Sequence, residues 1–586
     1  MKKVFYFLTL IAFVALVSFT FNSCKDDTDD VVEEPEVPVV PEPEPEEPGP
    51  VLFDIIKTNA EAEALGNAVY PPLQRLSSSF SFLIELPTES TISFEGPEDR
   101  GAPVISRLEQ APKTGFDVPH DYPDKGFQRL YESIGNSNIV IAKIDSSRVN
   151  DNFTQDTKDR IRARVKFTRA LSYFYLVQLY GEVPLKLKQA DASITTRASI
   201  EEIYTQIVKD LTEAEADLPA YDSNKAVPSK GAANAILSRV YLTWGQNPLT
   251  LAQVDAIKDS KTDPAHSVDN AKLEKALEYA NKVVNSGQYS LLDDYNRNFG
   301  IVGQNGDEHI YTIHHDGDAV DNVLGQSNHQ THCTFTNRFT DLTADFHIGP
   351  ADPTVLDRFD PADKRKLLSY TTRLFDSEDG NKRYDWAFPV TTPIYGKWIH
   401  RSGYVTTGDI PTIERAGGSS AAQPNNINRI EIRYAEVLLI KAEALFFLNR
   451  ANEALPLINQ LRTRAFGDNS HNLSSLTKED LFKEWELELT FEQKRWTNLT
   501  RWKTYIQTIQ TVQNFEYYKE IYKTPESIIA EFGDAIDGVT VNAPFYAKAY
   551  KHLHAKYDNV KGKHYRFPIP QLSGVDLGIT QQNPGY

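Results

Sequence analysis

The sequence predicts a mostly α-helical protein. Long segments repeat apolar residues at three- and four-residue spacing, and Gly, Pro and capping residues cut them into helix-sized lengths. Strand-like alternation appears as short stretches, such as His309–Ile313, in the second of two loop-rich insertions. At 586 residues the chain exceeds what one compact core usually holds, so one large or two merged domains are expected.

Met1-Lys2-Lys3 precedes an apolar stretch from Val4 to Phe21, and Phe21-Asn22-Ser23-Cys24 ends it. A short basic start, an apolar core and small residues before the break describe an export signal. A cysteine after the break favours a lipoprotein whose new N-terminus, Cys24, carries lipid. The alternatives are an uncleaved anchor, since about 18 apolar residues can just span a bilayer, and ordinary secretion. Residues 1–23 are therefore expected to be a signal peptide. Residues 24–50 form an acidic, Pro-rich tether with eleven acids and one lysine, a charge of −10. Its seven prolines fix φ and give up their N–H groups, and its like charges repel, so it should be extended, with a reach of roughly 80 Å.

Removing Lys2 and Lys3 takes the formal charge from −19 to −21, which leaves −11 for residues 51–586. That body is mildly acidic and lacks a basic footprint, which argues against nucleic acid as a partner. Of the two cysteines, a lipidated Cys24 leaves Cys333 alone, so core packing and not a disulfide framework must hold the fold.

Within 51–586 the helical segments run in order. Phe127 to Ile144 is the first, and Lys158 to Tyr180 is stopped by Gly181 and Pro184. Ser199 to Leu218 opens on Ser199-Ile200-Glu201-Glu202, a capping box, and ends before Pro219. Ser229 to Trp244 and Lys272 to Ser286 form a further pair, followed by Arg433–Leu448, Asn452–Ala465 and one long helix over Thr477–Thr500. Alanines at 435, 442, 444, 451 and 454 fall where two helices approach closely, in the manner of an irregular tetratricopeptide unit. The scaffold is expected over Lys158–Ser286 and Arg433–Thr500, with an N-terminal helical part (51–295) and a loop-rich insertion plus C-terminal helical part (296–586). Pro87–Lys125 and Asn296–Pro424 break the pattern. Insertions of that length on a rigid scaffold usually carry binding function.

Several segments resemble the SusD/RagB family of surface lipoproteins, which accompany SusC-like TonB-dependent transporters. Glu484-Trp485-Glu486-Leu487-Glu488-Leu489-Thr490-Phe491-Glu492-Gln493-Lys494-Arg495-Trp496-Thr497-Asn498-Leu499-Thr500-Arg501-Trp502 follows that family's C-terminal helix motif, with Gln493 in place of Gly and Asn498 in place of Asp. Tyr565-Arg566-Phe567-Pro568-Ile569-Pro570-Gln571 through Gln582-Asn583-Pro584-Gly585-Tyr586 matches the closing phrase, and Arg162…Tyr180-Gly181-Glu182-Val183-Pro184 is also typical. The resemblance implies a SusD-like fold over the mature chain. It further implies a non-enzymatic protein anchored in the outer membrane through lipid and facing the exterior. Such a protein would bind an oligosaccharide or polysaccharide and close as a lid over the transporter. Lys25-Asp26-Asp27 is similar to a surface-export signal. A peptide-binding importer subunit of the RagB kind is the alternative, and a carbohydrate-active enzyme using Glu89, Glu95 and Asp341 a third.

Glu484, Glu488, Glu492 and Arg495 are placed on one helical face, where a structural ion-pair network is favoured over a glycosidase carboxylate pair. His329, His332 and Cys333 lack a defined fourth zinc ligand, with His314 and His315 as distant candidates. Asp294-x-Asn296-x-Asn298 begins like a calcium loop, but Phe299 and Asn305 at positions six and twelve exclude an EF-hand. No cofactor is called for, and a calcium site of another kind is left open. No P-loop, Rossmann, nucleophile-elbow or zincin motif is present.

The aromatic content, 11%, is the remaining signal, because flat rings stack on the apolar C–H faces of sugars while polar side chains take the hydroxyls. Trp244, Trp485, Trp496 and Trp502 lie on predicted helices and are assigned to the scaffold. Candidate ligand contacts are Phe94, Phe116 and Tyr122 in the first insertion, and Tyr295, Phe335, Asn337, Arg338, Phe339 and Trp386 in or beside the second.

Overall fold

The computed structural model describes residues 55–95, 108, 122–300, 303–315, 347–350, 358–369, 373–376, 383–385, 397, 412–413, 428–511, 555–570 and 577–586. All lie in the compact unit Val51–Tyr586. Cys24 and the tether lie outside the described residues.

In chain order the helices are α1 (Asn59–Asn67), α2 (Tyr70–Phe80), α3 (Tyr122–Ser146), α4 (Gln155–Tyr180), α5 (Ile200–Asp217), α6 (Lys230–Trp244), α7 (Leu251–Ile257), α8 (Asn270–Asn285), α9 (Lys366–Ser369), α10 (Tyr434–Phe447), α11 (Ala451–Phe466), α12 (Lys478–Glu488), α13 (Arg495–Trp502) and α14 (Tyr505–Thr511). A π-helical turn, Ser81–Glu85, follows α2. The strands are short: β1 (Thr91–Glu95), β2 (Val183–Pro184), β3 (Arg197–Ala198), β4 (His309–Ile313), β5 (His347–Pro350), β6 (Arg373–Asp376), β7 (Arg383–Asp385), β8 (Thr412–Ile413) and β9 (Arg429–Arg433). The mostly helical class is thus observed.

The helix starts are chemical. Ser199 and Glu202 satisfy each other's backbone N–H groups in the expected capping box. Thr154, Ser229, Asp269 and Thr477 likewise accept N–H groups of the first turns they precede. The scaffold helices pack successively, α3 on α4, α4 on α5, α6 on α8 and α10 on α11. Helix α4 is the spine. It is buried on nearly all sides, with Phe167, Leu171, Phe174, Leu176 and Tyr180 meeting Ile203, Ile207 and Leu211 of α5 and Ile236 and Val240 of α6 in one continuous core. The buried charge on that spine is paired: Arg169 donates to both oxygens of Asp210 at 2.7 and 2.8 Å.

The chain end closes against the C-terminal end of α4. The Phe567 N–H donates to Leu179 O at 2.8 Å, and Asn583 Nδ2 donates to Tyr180 O at 2.9 Å and to Phe567 O at 2.6 Å. Arg566 pairs with Glu182 and covers Gly181, whose φ is +78°. A Cβ at position 181 would stand 2.1 Å from the Arg566 guanidinium. Glycine is therefore required there both by the backbone and by the close approach.

The single helix expected over Thr477–Thr500 is two helices. Residues 489–494 leave the helix between α12 and α13, and Phe491 and Gln493 take left-handed conformations with φ of +54° and +60°. The break has an electrostatic reason. It points the Glu492 carboxylate at Arg433 and Lys397, and the Gln493 N–H at the buried Glu85 carboxylate, 2.6 Å away. A continuous helix would commit that N–H to its own ladder.

Candidate functional site

The two insertions meet. Strand β1, from the first, pairs antiparallel with β5, from the second, with Thr91 opposite Pro350, Ile92 opposite Gly349, Ser93 opposite Ile348 and Glu95 opposite His347. Phe94 is the extra residue at the irregularity between Ser93 and Glu95. A bulge of this kind turns the strand locally and re-aims the residue it carries. The expected alternating stretch His309–Ile313 is β4, paired with β9.

A buried ionic hub joins α12, β9, α11 and the second insertion. The α12 carboxylates Glu484 and Glu488 accept from Arg365 at 2.5 and 3.0 Å, and Arg365 also holds Asp363 at 2.7 Å. Arg433, at the end of β9, reaches Glu308 at 2.7 Å, Glu488 at 2.6 Å and Glu492 at 2.8 Å. Arg464 of α11 joins Glu308 at 2.8 Å and also pairs with Glu488. Lys397 reaches Glu492 at 2.8 Å. Burial pushes the carboxylates up, but the surrounding guanidinium groups outweigh it and hold Glu308, Glu488 and Glu492 below the usual carboxylate range. Lys397 is pushed down to about 8 by burial, against the pull of Glu492.

The ion-pair reading of Glu484, Glu488 and Glu492 is therefore observed, with one correction. Their cations come from β9, α11 and the second insertion, whereas Arg495 turns to Glu89 at 2.6 Å and Glu486 at 3.2 Å. Glu89 also receives Arg358 at 3.2 Å. Burial raises the Glu89 carboxyl, Arg495 and Arg358 lower it more, and it rests at about 2, unsuited to proton donation near neutrality. Glu95 is placed by its backbone alone, and Asp341 lies outside the described residues. The hub roots the second insertion on α12 and the turn after it, and the separate Glu89–Arg495–Arg358 cluster roots the first on α13. Lys556, near the chain end, donates to Thr88 O at 2.6 Å and to Thr91 O, fixing the start of β1.

The expected ligand contacts divide accordingly. Phe94 sits at the β1 bulge, and Tyr122 is the first residue of α3. Tyr295 is a correction: it is 1% exposed, its hydroxyl donates to Glu488 O at 2.9 Å, and Arg433, Arg464 and Lys397 lie over its ring. It belongs to the hub, because a ring among buried cations is held by cation–π attraction and has no face left for a sugar. Phe116, Phe335, Asn337, Arg338, Phe339 and Trp386 lie outside the described residues. Trp485, Trp496 and Trp502 are buried as scaffold. Trp244 is partly exposed and stacks on Tyr204 at 5.3 Å.

Asp294 caps the short turn Tyr295–Asn298 by accepting the Asn296 N–H at 2.9 Å, which is the local job of that Asp-x-Asn pattern. His314 bonds Asn305 at 3.0 Å. His329, His332 and Cys333 lie outside the described residues, among which no group of three or more metal-ligating side chains occurs. No described helix is long and apolar enough to cross a membrane. Sequence reasoning missed Glu308, Asp363, Arg365, Lys397, Arg433 and Arg464. The Arg429-Ile430-Glu431-Ile432-Arg433 stretch carried a usable signal: period-two alternation puts all three charges on one strand face, which buries them in complementary company.

Residues 303–586 match the family model described as SusD family, and residues 99–242 match one described as starch-binding associating with outer membrane. SusD-like protein P2 of Formosa agariphila is 28% identical over 393 residues, 64% of this chain and 70% of that one. The starch-binding protein SusD of Bacteroides thetaiotaomicron is 26% identical over 404 residues, covering 58% and 64%. The crystal structure of a SusD homolog from Bacteroides thetaiotaomicron superposes with a TM-score of 0.63 at 23% identity over 91% of this chain and 98% of its own, a likeness of fold.

Proposed function

The chain belongs to the SusD/RagB family, and from that premise we propose that it is a glycan-binding protein of the outer membrane that captures its ligand without turning it over. The observation that carries the reading is the β1–β5 ladder. It joins two insertions rich in candidate stacking rings and holds Phe94 at a bulge shortly after a base in which Arg495 and Arg358 pair with the buried Glu89. A ligand face needs such a base, because rings held in place before binding lose little entropy on contact. The starch-binding relative supports a glucan as first probe.

Residues 1–23 act as the signal peptide, Cys24 as the lipid attachment point, 24–50 as the tether and 51–586 as the binding domain. The domain faces the exterior and closes as a lid over a SusC-like TonB-dependent transporter. The remaining ring and polar candidates, Phe116, Tyr122, Phe335, Asn337, Arg338, Phe339 and Trp386, complete the face.

The test is titration of the intact mature protein with a panel of soluble α- and β-glucans and peptides, monitored by calorimetry, with products checked by chromatography. A glucan should bind and be recovered unchanged, and Phe94→Ala should weaken it about tenfold, the loss of one stacking contact of ~1–1.5 kcal/mol. Binding confined to peptides would overturn the glycan reading, and released sugar would overturn the non-catalytic one.

A further inference from the structure

Away from both insertions, where α4, α6 and the C-terminal end of α13 meet the chain end, a small cleft is lined by Gln178, Thr497, Thr500, Arg501, Lys503 and Arg566, among others. Two of its three cations are already matched. Arg501 donates to both oxygens of Glu443, at 2.7 and 3.2 Å, and to Asn498 Oδ1 at 2.9 Å. Arg566 pairs with Glu182 and bonds Leu249 O. Lys503 is not matched. It sits one residue past α13, at φ of +56°, which turns its side chain into the cleft, where it is 7% exposed. Its ammonium donates to Thr500 O at 3.2 Å and, among the described residues, pairs with no carboxylate.

We propose that this cleft binds a small oxyanion, a sulfate or a carboxylate group, with Lys503 as the cation that answers it. A buried ammonium beside two guanidinium groups has a countercharge missing, and an anion supplies it. Two further properties agree. Burial first, then Arg501 and Arg566, press the Lys503 ammonium down to about 7. Nearby, His266 is pushed to about 4 by burial and then by Lys503, Lys478 and Arg501, so it is neutral and adds no charge while sensing the same positive field. Glu443 and Glu182 are the acids facing this group of cations, and both are engaged by arginine. Thr497 and Thr500 donate their hydroxyls to the backbone carbonyls of Lys494 and Trp496, and Gln178 donates to Phe174 O, so the cations and not these side chains must hold the anion.

The sign of the pH dependence follows. Lys503 is charged below about 7, so anion affinity is full there and fades as pH rises through that value. Calorimetric titration of the intact mature protein with sodium sulfate, in buffers matched in ionic strength with chloride, should show saturable binding about tenfold weaker at pH 8 than at pH 6. Lys503→Gln keeps a donor for Thr500 O and should abolish the binding. Lys503→Arg stays charged at both pH values and should bind with the pH dependence removed. A parallel titration with glucose 6-sulfate against glucose separates a sulfate carried on a sugar from the free ion, since sulfate-dependent binding of the sugar marks the former. Absence of saturable sulfate binding at pH 6, or Lys503→Gln binding like the natural protein, overturns the proposal. Neutral-glucan binding does not involve Lys503 and is unaffected by either result.

Discussion

Gln493 shows how much one position can carry. Its backbone is left-handed, where side chains with a Cβ are disfavoured by ~1 kcal/mol or more relative to glycine, and the family motif that this chain resembles has glycine there. The side chain offsets that cost with its own bonds: Nε2 donates to Ser77 O at 3.3 Å, and Oε1 accepts from Arg429 at 3.2 Å. Gln493→Ala loses both bonds and keeps the strain, whereas Gln493→Gly loses the bonds but relieves the strain. Chemical denaturation should therefore rank natural protein, Gly variant, Ala variant, with the Gly variant ~1 kcal/mol above the Ala variant. Equal stabilities for the two variants would show that the turn is not strained at this residue. Tyr295 makes the converse point. As a lone aromatic beside a loop it reads as a ligand contact; among Arg433, Arg464 and Lys397 it is part of the core.

Among the elements, those with local causes were legible. The capping box at Ser199–Glu202, the stop at Gly181 and the alanine-lined pair α10–α11 follow from residues within a few positions of each other. The break between α12 and α13 was not legible, because its cause is distant. Glu85, Arg433 and Lys397 lie far along the chain, and helix periodicity runs through 489–494 as if nothing interrupts it. The docking of the chain end onto α4 was half legible: the phrase was conspicuous, its target was not. Gly181→Ala should destabilise the protein by ~2 kcal/mol or more, because it imposes both a disfavoured φ and a clash with the Arg566 guanidinium. The measurement is a thermal melt combined with limited proteolysis, and the residues from 565 onward should become the first cleaved. A variant that melts like the natural protein would mean that Arg566 moves aside without loss.

For the whole molecule, the helical scaffold supports two insertions whose roots are held by ion-pair clusters on α12 and α13. Removing a partner from such a cluster leaves uncompensated buried charge, so its members act as a unit and not as independent bridges. The lid reading adds a mechanical demand, since a domain that swings while tied to lipid needs slack. In the proposed reading residues 31–50 would supply it, since seven prolines and like charges favour an extended chain. Deleting 31–50 should leave glucan affinity in solution unchanged while slowing uptake by cells that express the variant. Uptake at the natural rate would show that tether length is incidental to transport.

By itself the sequence determined the helical class, the order of the scaffold helices and the kinship of the C-terminal motif, since each depends on residues close together in the chain. Tertiary structure alone decided which cations neutralise Glu484, Glu488 and Glu492, that Tyr295 belongs with them, that β1 finds β5, and that Lys503 stands in a cleft with no carboxylate partner among the described residues. The physical reason is the same in each case. Periodicity and capping act over a turn or two of helix, while charge pairing and strand pairing act between segments that only the folded chain brings within a few ångströms.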